Sequence, residues 1–252
     1  MPKPRIVFDI ETILDEEAVA RAHKLPPGDQ DAVRSIIGED FPKAAFHRIV
    51  AIAATALVYD IHAGAWSVLE MASLHVGDQT EKELVSKFVA YVDCMPPTLV
   101  GYNSFAFDLP VVRARAMLYR LKGAHLAHYG FRPFAEHHLD LCDALAARGR
   151  GRMTLDEAAQ TFRIGSKTPG MDGSKVDELV GQREFEKIAD YCLDDVVVTA
   201  ALFLLHETFS GRLNEEKLER ALQGLATARD ITRRERPSTF IHSREGLLVD
   251  NS

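Results

Sequence analysis

Residues Arg48 to Tyr59, RIVAIAATALVY, form a near-continuous apolar run rich in small and β-branched side chains. A run of this kind fits a central strand buried on both faces better than a helix. Such a strand needs layers packed against each side of its sheet, and the rest of the chain must supply them. Gly64 then marks a turn into Ala65–Glu70, which completes a β-hairpin. Upstream, residues 4–10 form a first strand. From Leu14 to Ala45 the pattern is polar and helical, broken at Leu25-Pro26-Pro27-Gly28, Gly38 and Pro42, as expected of an excursion of short helices and loops.

Downstream, Leu84, Val85, Phe88, Val89 and Val92 recur at helical spacing, with Thr80 as N-cap and Glu83 three residues later. Thr98–Tyr102 reads as a short strand. The segment after Asp108 reads as a helix, and residues 123–139 as a His-rich loop. Thr154 and Glu157 form a second capping-box pattern, and 165–175 is rich in turn residues. Arg183–Phe209 reads as one long amphipathic helix with Ile188, Tyr191, Cys192, Asp195, Val196, Thr199 and Phe203 along one side. Residues 210–252 read as a C-terminal polar extension, Arg-rich and weakly patterned from Arg229 on, as expected of a surface appendage or frayed tail. Strand, hairpin, helix, strand and further helices predict one α/β domain over residues 1–209 with a mixed sheet.

The 252 residues are enough for one large domain with a sizeable core. With a net charge of −7 the chain has no global basic footprint, which argues against a protein that coats nucleic acid. It does not argue against an enzyme that takes one nucleic-acid end and lets metal ions neutralise the phosphates. The three cysteines, Cys94, Cys142 and Cys192, form no CxxC pair and predict small buried side chains, not a disulfide framework or a zinc site. No signal-peptide pattern opens the sequence and no apolar run reaches a membrane span, so a cytoplasmic location is the expectation.

Asp9 and Glu11 stand two residues apart in the first strand, so both carboxylates project from one face with Phe8 and Ile10 on the other. Like charges so placed repel, and partial burial strips their hydration. A divalent cation between them would resolve this; an exposed edge strand would also tolerate the pair. Asp108 sits at a strand-to-helix junction, where an aspartate most often caps the helix. Tyr191 and Asp195 share a helix face at i, i+4 spacing, and Asp195 lies in a mostly apolar turn where a carboxylate needs a partner. Asp190 and Asp194 fall on a different side and are expected to be solvated.

Taken together, Phe8-Asp9-Ile10-Glu11-Thr12, Asn103-x3-Phe107-Asp108 and Tyr191-x3-Asp195 resemble the three motifs of the DEDD exonuclease superfamily in its tyrosine-containing branch. The likeness is to the proofreading domains of family B DNA polymerases and to stand-alone predicted 3′–5′ exonucleases similar to them. Phe46–Ile52, His138–Leu141, Thr154–Glu157 and Met171–Ser174 add to it, over about residues 5–205.

The resemblance implies a ribonuclease-H-like mixed sheet of about five strands with helices on both faces. It implies two Mg²⁺ or Mn²⁺ ions held by Asp9, Glu11, Asp108 and Asp195, with Tyr191 orienting the attacking water. Thr12, Asn103 and Phe107 become substrate contacts, with Phe107 and Leu109 candidates to wedge the terminal base by stacking. The expected substrate is nucleic acid with a free 3′ end, single-stranded DNA favoured over RNA, and any polymerase or repair partner would be a separate chain. The alternatives are a catalytically silent nucleic-acid- or protein-binding module on the same fold, and an endonuclease; four intact acids weigh against the first, and Tyr191 against the second.

Further candidates are weaker. His125, His128, His137 and His138 lack regular ligand spacing and are expected to be solvated. Arg148, Arg150 and Arg152 form a basic loop suited to phosphates or simply to solvent, and Lys167 and Lys175 flank a Gly-rich turn. Asp140 and Asp143 are expected to be caps or sheet-edge acids.

Overall fold

Val7 and Phe8 point to opposite cores, and the whole molecule is arranged about that division. In the computed structural model, which describes residues 3–94, 97–128, 137–146, 150–165 and 173–240, β1 spans Arg5–Leu14. It is followed by α1 (Glu16–His23) and α2 (Gln30–Ile37), the short helices expected of the excursion. β2 (His47–Asp60) and β3 (Ala65–His75) pair as the predicted hairpin, with Gly64 at φ +57° in its turn. Then come α3 (Glu81–Cys94), β4 (Thr98–Gly101), α4 (Asp108–Leu118), β5 (His138–Asp140), α5 (Leu141–Leu145), α6 (Leu155–Phe162), α7 (Val176–Gly181), α8 (Phe185–Phe209) and α9 (Glu215–Glu235).

The strands form one mixed sheet in the order β3-β2-β1-β4-β5. β1 is antiparallel to β2 and parallel to β4, and β4 is parallel to β5. The apolar run that became β2 is an interior strand, buried along most of its length, with β1 in the middle position. One face, through Ile6, Phe8 and Ile10, packs on Leu84, Phe88 and Val92 of α3 and Val111 and Val112 of α4. The other, through Val7, Ala51 and Ala53, packs on Cys192, Val196 and Phe203 of α8, with α5, α6 and α7 beside it. The predicted α/β class with helices on both faces is observed.

Both capping boxes form. Thr80 and Glu83 exchange bonds ahead of α3, and Thr154 and Glu157 do so at α6. A buried cluster ties the excursion to the domain. Arg115 of α4 donates to Asp15, the N-cap of α1, at 2.6 Å and to Glu81 of α3 at 2.5 and 2.7 Å. Glu81 also accepts the Ile49 N–H at 2.8 Å. A guanidinium buried against two carboxylates is costly to break one partner at a time, so this cluster fixes α1, β2, α3 and α4 relative to one another.

Four expectations need correction. The first strand does not stop at residue 10 but runs to Leu14, because its bonds to β2 resume after a bulge at Glu11/Thr12. The loop-like segment 123–139 ends in a strand, since Leu99 and Val100 of β4 supply a partner for His138–Asp140 that local sequence cannot reveal. The polar stretch after 210 contains a helix of 21 residues, α9, whose Leu218, Ala221 and Leu225 are buried against β3 and α8. Beyond it, Phe240 packs between Phe88 and Tyr91 on the opposite face of the sheet. Finally, Asp190 and Asp194 are both ion-paired, and only the half-buried Asp190 keeps contact with solvent. Asp194 is bonded to Arg233 of α9 at 2.7 Å, and Asp190 to Arg236 at 2.5 Å. With the sheet on one side and α9 on another, α8 is buried over most of its surface, although its own sequence reads as amphipathic. None of the helices is long and apolar enough among the described residues to cross a membrane.

Candidate active site

β1 delivers two carboxylates to the α8 side of the sheet. Ligand atoms of Asp9, Glu11 and Cys192 all lie within 4.8 Å of one another. The alternation predicted for the strand holds, with Val7 in the α8-side core and Ile6, Phe8 and Ile10 in the other. Glu11 is buried and Asp9 half-buried, so the pair is not on an exposed edge.

Asp108 joins them through the backbone. Its Oδ1 accepts the N–H of Ile10, the residue between Asp9 and Glu11, at 3.3 Å. The N-cap of α4 is Phe107, which makes no side-chain cap bond, so Asp108 does not serve as the cap. Burial pushes the Asp108 carboxyl up from the ordinary range, and the charges of Asp140 and Asp195 push the same way. Its own amide and that of Ile10 pull it back down.

Asp195 enters from α8, one turn after Tyr191 and three residues after Cys192, and both the acid and the tyrosine are buried. The Cys192 thiol donates toward the Asp9 carbonyl at 3.3 Å and Asp9 Oδ2 at 3.6 Å. Burial, then Asp9, Glu11 and Asp195, drive its pKa well upward, so the sulfur stays protonated. A neutral thiol is a poor ligand for a hard cation and serves here as a donor to Asp9. Cys192 was foreseen only as a buried apolar residue; its i, i−3 spacing from Asp195 was the available signal.

The loop that carries Asp108 is built by β5. Asp140 accepts the N–H groups of Asn103 and Phe105, each at 2.9 Å, and caps α5 through Cys142 at 3.0 Å and Asp143 at 3.4 Å. Ser104 is fully buried and bonded to His138 Nε2 at 2.9 Å. A Cβ at Gly101 would collide with the Ser104 side chain, which is why β4 ends on glycine. Asn103 stands at φ +59°, a conformation asparagine tolerates, and its Oδ1 accepts from Arg152 at 2.8 Å. Arg152 also pairs with Asp143. Asp140 is therefore a cap, as expected, and also the clamp on the 103–107 loop, which was not foreseen.

The substrate-contact candidates divide. Thr12 bonds His47 Nδ1 at 2.9 Å, and Phe107 is half-buried with its ring 4.9 Å from that of His47. Leu109 is fully buried and cannot wedge a base. His138 is buried, contrary to expectation. His125 pairs with Asp93, and His128 is exposed. Arg150 and Lys175 are exposed, while Arg148, Lys167, Met171 and Asp172 lie outside the described residues.

A hard divalent cation suits this donor set. Asp9 and Glu11 already bring carboxylate oxygens within 4.8 Å of each other, and Asp195 and Asp108 are within electrostatic reach of the same cluster.

Residues 39–243 match the model of a family described as predicted 3′–5′ exonucleases related to the exonuclease domain of PolB. That span holds Asp108, Tyr191 and Asp195; Asp9 and Glu11 lie upstream of it. Among solved structures, the family B DNA polymerase of the archaeon Pyrobaculum calidifontis shares the fold at a TM-score of 0.53 and 20% identity. The match covers 82% of this chain and 25% of the polymerase. Exonuclease I of E. coli in complex with a dT13 oligonucleotide matches at a TM-score of 0.46 and 15% identity, over 86% of this chain and 46% of that one. The chain thus spans less than half the length of either. No curated protein matches it. The mixed sheet, the acids it gathers and the family match lead to one conclusion: the chain belongs to the predicted 3′–5′ exonucleases related to the exonuclease domain of PolB.

Proposed function

We propose that the protein is a metal-dependent 3′–5′ exonuclease that removes nucleotides from unpaired 3′ ends, with DNA favoured over RNA. One observation carries this reading: a strand bearing Asp9 and Glu11 is stitched through Ile10 to Asp108, with Asp195 close enough to raise both the Asp108 carboxyl and the Cys192 thiol beside Asp9. Two carboxylates side by side on an interior strand, with a third bonded to the backbone between them, suit a bound cation better than a purely structural use.

Two Mg²⁺ or Mn²⁺ ions, when bound, would activate water and neutralise charge on the attacking and leaving oxygens. Asp9, Glu11 and Asp195 would hold one ion, and Asp9 with Asp108 the other. Asp9 is then the shared ligand, and the Cys192 S–H helps fix its carboxylate. Tyr191 shares the helix face of Asp195 and would orient the attacking water through its hydroxyl. Its part is orientation and hydrogen bonding. Asp140 holds the loop that presents Asp108, and Thr12, Asn103 and Phe107 border the substrate.

The experiment is direct. Purified protein with Mg²⁺ or Mn²⁺ should shorten a 5′-labelled single-stranded oligonucleotide stepwise from its 3′ end, faster for DNA than RNA. An Asp9→Ala or Asp195→Ala variant should fold and leave the substrate intact. Oligonucleotide binding without any ladder would support a binding module instead, and a single internal cut an endonuclease.

A further inference from the structure

Phe41 is 74% exposed, yet it is not an isolated surface ring. It lies at the end of the excursion, with its centroid 5.2 Å from that of His47 and 5.4 Å from that of Phe107. His47 and Phe107 meet edge to face at 4.9 Å. The three rings form one cluster whose inner member, His47, is buried and whose outer member faces water.

His47 is locked in place. Its Nε2 bonds the Pro42 carbonyl at 3.2 Å, and a carbonyl only accepts, so this nitrogen carries the proton. Nδ1 is then the acceptor, and the Thr12 hydroxyl donates to it at 2.9 Å. A fixed ring behind two less buried ones makes a rigid platform. The cluster also has a definite address, since Thr12 follows Glu11 and Phe107 precedes Asp108. Both of its anchors are thus one residue from carboxylates of the candidate site. An exposed phenyl ring gains little from burial in the free protein, whereas a nucleobase laid on it gains stacking whatever its identity.

We infer that Phe41, held by His47 and Pro42, forms with Phe107 the seat for the base of the 3′-terminal nucleotide, which gives the excursion of residues 14–45 a role in binding substrate. This rests on the exonuclease reading and deepens it. Phe41 is a substrate-positioning residue by this account. Its contribution should appear as affinity for the terminal nucleotide, not as stability, because most of the ring is already in water.

The test uses the full chain carrying Asp195→Asn, so that the oligonucleotide persists, and single-stranded DNA with 2-aminopurine at either the 3′-terminal or an internal position. With Phe41 present, terminal 2-aminopurine should be quenched on binding more than the internal probe. Phe41→Ala should abolish most of that terminal quenching and weaken binding about tenfold, and Phe41→Trp should restore both. In the otherwise wild-type enzyme Phe41→Ala should raise KM with little change in kcat, and thermal stability should stay where it was. Unchanged terminal quenching in Phe41→Ala overturns the inference while a wild-type 3′ ladder leaves the exonuclease reading intact. Absence of both a ladder and any DNA binding overturns both.

Discussion

Asp108 accepts the N–H of Ile10, so the carboxylate at the β4–α4 junction is bonded to the backbone between Asp9 and Glu11. The bond makes Asp108 both a candidate ligand and a structural tie, and two substitutions separate these roles. Asp108→Asn retains an oxygen that can accept from Ile10 and removes the charge. It should fold normally and lose at least about 10²-fold in activity. Asp108→Ala also strands the buried amide and should cost a further 1–2 kcal/mol or so in urea unfolding. Equal stability of the two variants would show that the tie contributes nothing.

Carboxylates held together without a counter-ion oppose folding, and a cation that binds only the native state stabilises it by mass action. Addition of Mg²⁺ or Mn²⁺ should therefore raise the Tm of the wild-type protein by a few degrees. Asp9→Ala should lose that response. Without metal this variant should melt no lower than wild type, because it relieves repulsion with Glu11. Scanning calorimetry with and without metal measures both.

Asp140 accepts four backbone N–H groups, two from the loop leading to Asp108 and two from the start of α5. Asp140→Ala leaves these donors with no acceptor in a buried place and should destabilise the protein by about 3 kcal/mol. Asp140→Asn keeps an acceptor and should lose less. If Asp140 positions Asp108, kcat should fall in both variants at temperatures well below their melting points, with KM far less affected.

His138 is buried and bonded to Ser104, and Nδ1 has no hydrogen-bond partner among the described residues. Protonation would place a buried N–H there with nothing to accept it. Burial lowers the ring's pKa to about 4; the charge of Arg113 acts in the same direction and Asp143 opposes it. A histidine lowered in the folded state contributes stability that is complete above its unfolded value near 6.5 and is lost as pH falls toward 4. The loss amounts to about 3 kcal/mol. Unfolding free energies of wild type and His138→Gln measured from pH 7 to 4 should converge as the pH drops. A constant gap would exclude His138 as the titrating group.

Leu225 of α9 is buried against the sheet-side core, so Leu225→Ala should cost about 3 kcal/mol. Denaturant unfolding would measure this loss. A chain stopped at residue 210 would expose the β3 face and strip Asp194 of Arg233, and should be recovered mainly as insoluble protein.

Much of this fold was legible because its signals are local. The buried β2 run, the turn at Gly64, the two capping boxes and the i, i+2 spacing of Asp9 and Glu11 each depend on residues a few positions apart. The i, i+4 relation of Tyr191 and Asp195 is equally local, and it singles out the α8 acid. β5 was not legible, since a three-residue strand exists only through its pairing with β4. Nor was α9, whose charged sequence hides a narrow buried stripe. The ionic partners Asp190 and Asp194 are likewise defined by arginines some forty residues away. Sequence by itself determined which acids the chain can offer and on which faces of their elements they stand, because strand and helix periodicity decide that. Tertiary structure alone decided that Asp108 bonds Ile10 instead of capping its helix, that Cys192 lies against Asp9, and that Asp140 clamps the intervening loop. These contacts join residues dozens to nearly two hundred positions apart; pairing of β1, β4 and β5 in one sheet brings the first and third within bonding distance, and packing of α8 on that sheet the second.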